Sequence, residues 1–223
     1  MIPIMKKLIL SLALSLLCVA GSCSRTENPY YFDGSVSQAV LERYLARAVT
    51  MSEFLTVDPY CNDGTYPDKA ADVAFIRNTG AKFIGRAIYR WGDEKVLTEP
   101  GFWAGAEALV GEVHAFDPDV IFQAAAFEAV YRDVNEVPVP AWAFEALGLP
   151  VEERNFDYSQ MLSPDGKYVD LWGPGGSVPD ITRVETQLWL MYLIGSYVDI
   201  GVEAVHLGQV YLCLLYTSPS PRD

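Results

Sequence analysis

Histidine is nearly absent from this chain of 223 residues, with His114 and His206 the only two. Without an H-x-H or H-E-x-x-H pair, a histidine-rich metal hydrolase is excluded. Basic residues are scarce as well, 16 Lys and Arg against 29 Asp and Glu, for a formal net charge of −13. Such a chain repels nucleic-acid phosphates and anionic membrane surfaces, so a neutral or cationic ligand is expected. No G-x-G-x-x-G or G-x-x-x-x-G-K-[ST] follows the first predicted strand, where Asp58, Pro59 and Tyr60 stand, and no G-x-S-x-G occurs. Dinucleotide sites, P-loops and the α/β-hydrolase elbow therefore lack their signatures, and no motif implies a cofactor. Long apolar runs are missing too. Residues 8–20 and 188–194 are both short for a bilayer span, and Arg183 and Glu185 just before the second run mark it as part of a core helix.

Cysteine is scarcer than its count of four suggests. Residues 1–22 carry Lys6 and Lys7, then an apolar stretch, then Ala20, Gly21 and Ser22 ahead of Cys23, and so resemble a bacterial lipoprotein signal. Cys23 would receive the lipid. Ser24 follows it where an inner-membrane retention signal has Asp, so the expected location is exported and lipid-anchored to the cell envelope, at the outer membrane of a two-membrane host. Residues 23–29 form a linker. At the other end, 213–223 (CLLYTSPSPRD) resembles an in-frame translation of a sequencing adapter, and the natural protein is expected to continue past Leu212. Cys18, Cys23 and Cys213 thereby leave the count, only Cys61 remains, and no internal disulfide, cysteine zinc site or iron–sulfur cluster is expected. Loss of Lys6 and Lys7 takes the mature net charge to −15, because Arg222 and Asp223 cancel.

What the chain does have is apolar material, 51% hydrophobic and 13% aromatic residues, enough for a sizeable core. Apolar spacing predicts a helix over 37–48, a strand over 49–57, a helix from Pro67 to about 78 and a strand over 81–89. The pattern then repeats: a helix from Pro100 to about 117, and a nearly continuous apolar run at 120–130 that suits a strand covered on both faces. A short helix over 140–147, a turn-forming glycine loop at 173–176, a long helix over 179–197 and a strand over 203–211 complete it. Strand–helix alternation at this spacing implies right-handed βαβ units in a parallel sheet. The absent phosphate turn favours a barrel over a doubly wound sheet. The expected fold is α/β, a partial (β/α)8 TIM-type barrel truncated after about four strands, with 30–212 as its N-terminal part.

Parallel barrels bind ligands at the carboxyl ends of their strands, which singles out polar residues there. Glu128 ends the run that starts at Val120. A carboxylate held in apolar surroundings favours its protonated form, as a general acid requires, unless it has already reached water or an arginine. Glu53 holds the comparable place on the first strand, and two carboxylates facing one cleft are the minimum apparatus of glycoside hydrolysis. A solvated or salt-bridged Glu53 is the alternative. Arg86 and Arg90 alternate with apolar residues and are expected on one face, where either would orient a carboxylate, bind a ligand oxygen or form a surface ion pair. Trp91 and Tyr89 offer flat platforms for a sugar ring or for the core. Gln123, His206 and Gln209 lie inside apolar strands, as ligand contacts or as satisfied core groups.

FQAAAFEAV (122–130), VPVPAW (137–142) and EAVHLGQV (203–210) resemble segments of a poorly characterised family of exported bacterial (β/α)-barrel proteins, similar in outline to glycoside hydrolases. The resemblance covers most of the chain but supplies no motif that transfers catalytic roles, so it speaks to fold. The residues themselves carry the functional expectation: a surface-anchored barrel that binds and hydrolyses a glycan, with Glu128 as acid/base, Glu53 as second carboxylate and Arg86, Gln123, Trp91, His206 and Gln209 at the ligand. The alternative is a non-catalytic glycan-binding or scaffold lipoprotein.

Overall fold

A computed structural model describes residues 28–62, 68–209 and 212. The signal segment, Cys23, the adapter-like tail, Pro67, Val210 and Tyr211 lie outside the described residues. The central element is a four-stranded sheet of β1 (Ala48–Thr50), β2 (Phe83–Tyr89), β3 (Ile121–Ala126) and β6 (Ala204–Leu207). Every neighbouring pair is parallel, and spatial order follows chain order without the reversal that marks a doubly wound sheet. A separate pair, β4 (Val130–Tyr131) and β5 (Gly176–Ser177), is antiparallel.

The connecting helices start and stop where their caps dictate. Ser37 caps α1 (Gln38–Leu45) by accepting from the Val40 amide, and Asp68 caps α2 (Lys69–Thr79) by accepting from the Ala71 amide at 2.9 Å. Gly80 closes α2 at φ 63°, the left-handed conformation glycine adopts freely. Pro100 occupies the first turn of α3 (Pro100–His114), whose missing amide costs nothing there. Shorter α4 (Ala141–Ala146) and α5 (Tyr158–Met161) precede α6 (Val184–Asp199). The run 188–194 belongs to α6 and buries Leu188, Trp189 and Leu193 in the core. No helix among the described residues is long and apolar enough to cross a membrane.

Helices and sheet meet on one face. Ile84, Ile88, Phe122, Ala124 and Ala126 share a core with Val73 and Ile76 of α2, Phe102 and Val113 of α3 and Leu193 of α6. Each fully buried large side chain of this kind stabilises the fold by about 1.5–3 kcal/mol. The register puts Thr50, Gln123, Ala204 and His206 on the opposite face. There Thr50 and His206 are exposed and Gln123 is half-buried, so this face is the less covered one.

Three expectations need correction. The strand expected over 49–57 stops at Thr50, because β2 carries two extra residues between Ile84 and Ile88. Met51, Glu53 and Leu55 still donate to the carbonyls of Gly85, Arg86 and Ala87, yet Phe54 and Thr56 turn back onto Met51 and Glu53. Glu53 therefore sits in a turn, at φ 58°, and not in a strand. The run 120–130 divides, since the chain leaves the sheet at Phe127 and Val130–Tyr131 pairs with Gly176–Ser177. Gly176 is thus strand as well as loop, and a side chain there would collide with the Tyr131 ring. The long helix begins at Val184, later than expected, because the Asp180 carboxylate accepts from the Thr182 amide at 2.9 Å and holds a turn.

Candidate functional site

Because the four strands run the same way, their carboxyl ends lie at one end of the sheet and deliver Glu53, Arg90 with Trp91, Phe127 with Glu128, and Gly208 with Gln209 to a common rim. Glu203, the acid of the last strand segment, lies at the opposite, amino-terminal end. It accepts from the Phe122 amide at 2.9 Å, and burial raises its pKa.

Glu128 is only 4% exposed. Its Oε1 accepts from the Gln209 Nε2 at 2.6 Å, while Oε2 is buried with no hydrogen-bond partner among the described residues. Gly208 makes the pairing possible, since a side chain there would collide with Oε2 and press on Phe127. The next strand thus contributes both the backbone that admits the carboxylate and the amide that orients it. One carboxylate oxygen is thus fixed, and the other keeps its capacity to accept a hydrogen bond.

Glu53 is equally buried, but occupied. Its carboxylate accepts from the Asn62 amide, and its carbonyl accepts from the Lys69 ammonium at 2.7 Å. Asn62 in turn offers Oδ1 to the Arg90 Nε at 3.0 Å, to a second Arg90 nitrogen at 2.5 Å and to the Trp91 amide at 2.9 Å. Arg90 also donates to the Tyr60 carbonyl at 3.0 Å. A chain of contacts therefore runs from Glu53 through Asn62 to Arg90 and Trp91. Cys61 in this loop is half-buried and donates to the Thr56 carbonyl at 3.3 Å, and burial pushes its thiol pKa up, as befits a packed and unreactive cysteine.

Arg86 and Arg90 do not share a face. The extra residues in β2 break the alternation, and Arg86 takes φ 56° at the irregularity. Its amide donates to the Gln123 Oε1 at 3.4 Å, and its guanidinium lies over the rings of Tyr89 and Phe127, 5.5 and 5.2 Å from their centroids. Trp91 packs against Phe127 and Trp172 at 5.1 and 5.6 Å and donates from its indole to the Tyr131 hydroxyl at 2.6 Å. His206 faces the same side as Ala125, its partner in β3, and is exposed.

Sequence reasoning missed Glu94. It opens a 3-10 turn (Glu94–Thr98) just past the carboxyl end of β2 and is 2% exposed. Oε1 accepts from the Tyr131 amide at 3.1 Å, and Oε2 is buried without a partner among the described residues. Burial pushes its pKa up to about 7, against the amide hydrogen bonds that favour the charged form. Between Asp93 and Lys95 it looks like a solvated loop residue, and its only signal was position after a strand. The site thus holds two buried carboxyls with a free oxygen each, an arginine over two rings, and an aromatic wall. No family model, curated protein or solved structure matches the chain.

Proposed function

We propose that this chain is the N-terminal part of a (β/α)8 barrel lipoprotein, anchored through Cys23 at the cell envelope, that binds and hydrolyses a glycan by carboxylate acid/base chemistry. The barrel is supported by four parallel strands in chain order with helices packed on one face and polar groups on the other. Further strands would pair with the edges β1 and β6 and enclose that polar face.

The single observation that carries the catalytic part is Glu128, buried at the carboxyl end of β3 with Oε1 held by Gln209 and Oε2 free. In this role Glu128 gives a proton to the glycosidic oxygen as its bond to the anomeric carbon breaks, and the resulting carboxylate takes a proton from the water whose oxygen bonds that carbon. Trp91, Phe127 and Trp172 supply flat apolar surface for a sugar ring. Glu53 serves the centre by fixing Asn62, and through it Arg90 and Trp91. The engagement of Glu53 in that network favours a second reading, glycan binding without turnover, because a carboxylate tied to a backbone amide is poorly placed to attack. Wild type and Glu128→Gln assayed against a glycan panel decide between them. Hydrolysis is expected in wild type and a loss of about 10²-fold or more in the variant. Equal turnover removes Glu128 from the mechanism, and binding without turnover in wild type selects the second reading.

A further inference from the structure

Two other arginines with well-buried contacts are each held by oxygen acceptors: Arg90 by Asn62 and Tyr60, Arg154 by Glu185 and Glu152. Arg86 is not. It forms no ion pair among the described residues, although acids outnumber bases in the chain, and its Nε is buried without an acceptor. Tyr89 and Phe127 cover it with ring faces, which attract the cation but offer its Nε–H no in-plane acceptor. The backbone holds this side chain at φ 56°, a conformation residues with a Cβ rarely adopt, at the point where β2 departs from regular register. The irregularity aims a planar, permanently charged fork across the ring of Phe127, the residue before Glu128.

We infer that Arg86 receives the carboxylate of a uronic acid unit in the glycan, with that unit's ring against Phe127 and Trp91. The inference rests on the glycan reading of the site. A guanidinium and a carboxylate match as two parallel N–H···O bonds, which a neutral hydroxyl cannot reproduce. The acidic character of the whole chain opposes an anion at long range, but salt screens that field beyond about 8 Å, and at contact distance the unpaired guanidinium dominates.

The test is equilibrium binding of the full chain to oligosaccharides of galacturonic, glucuronic and mannuronic acid, to their carboxyl-reduced uncharged counterparts, and to a sulfated neutral oligosaccharide. Wild type is expected to bind one uronate series roughly tenfold tighter than its reduced counterpart, and Arg86→Gln to abolish that preference, binding the uronate no tighter than the reduced sugar. Equal affinity for uronate and reduced sugar overturns the inference and leaves the glycan reading intact. Preference for the sulfated sugar over every uronate also overturns it. Binding to no glycan at all overturns both. Should Arg86→Gln fail to fold, the wild-type comparison decides alone.

Discussion

Protonation of Glu94 couples to folding near neutral pH. Its carboxyl pKa rises from 4.5 to about 7 on folding, chiefly through burial, so between these values the folded chain holds a proton that the unfolded chain has released. Stability from this group is full below pH 4.5, falls as pH rises, and is lost above 7, by up to about 3 kcal/mol. In urea unfolding, wild type is expected to lose stability between pH 5 and pH 8 relative to Glu94→Gln, which carries no charge at any pH. Parallel pH profiles for the two proteins would show that Glu94 keeps an ordinary pKa. Glu94 lay outside the set of acids that sequence indicated, because nothing in Asp93, Glu94 and Lys95 announces that Tyr131, 37 residues away, closes over the middle one. Glu128 was legible, since an acid at the end of a strand-like apolar run is conspicuous; its partner in Gln209 was only a separate candidate until β6 came to lie beside β3.

At the scale of elements, the stability of α6 depends on how its first turn is anchored. Glu185 is 7% exposed and accepts from two Arg154 nitrogens at 2.7 and 2.9 Å and from the Asp157 amide at 2.8 Å. Removing the arginine strands a buried carboxylate, a loss moderated because the Arg154 side chain itself is 32% exposed. Arg154→Ala is therefore expected to cost about 2 kcal/mol in urea unfolding, and Arg154→Ala with Glu185→Gln less than that single variant. Additive losses would mean the two side chains are uncoupled. The longer helices were legible, since Gly80 and Pro100 are local signals that stop or start a helix whatever surrounds it; the one-turn α5 was not. The four strands of the parallel sheet were legible in number and order but not in length, and the antiparallel pair β4–β5 was not legible at all. Apolar spacing marks which residues prefer burial, and Phe54, Leu55 and Val130 are buried as that spacing implies, although none lies in the parallel sheet.

For the molecule as a whole, the sheet order leaves β1 and β6 as edges among the described residues. Open edges carry unpaired amides and carbonyls that template association, and Leu207 on β6 is 54% exposed. The 223-residue chain is expected to sediment partly as oligomers whose fraction grows with concentration, and Leu207→Lys to reduce that fraction at least twofold. A monomer at every concentration would mean that the edges are covered. The formal charge of −13 works against association, so the oligomeric fraction should also rise with salt as repulsion is screened.

The sequence by itself determined the alternation of helices and strands and, through the spacing of those strands, their parallel run, because caps, proline, glycine and apolar period act over a few residues. Tertiary structure alone decided which polar groups would meet. The two extra residues of β2 sent Arg86 and Arg90 to different neighbours, turned Glu53 out of its strand and tied it to Asn62, and packing over β2 buried Glu94. Glu128 and Gln209, 81 residues apart, became a hydrogen-bonded pair only across the edge of β6. The burial of a charged side chain depends on what lies opposite it, and that is set by chain segments far away in sequence.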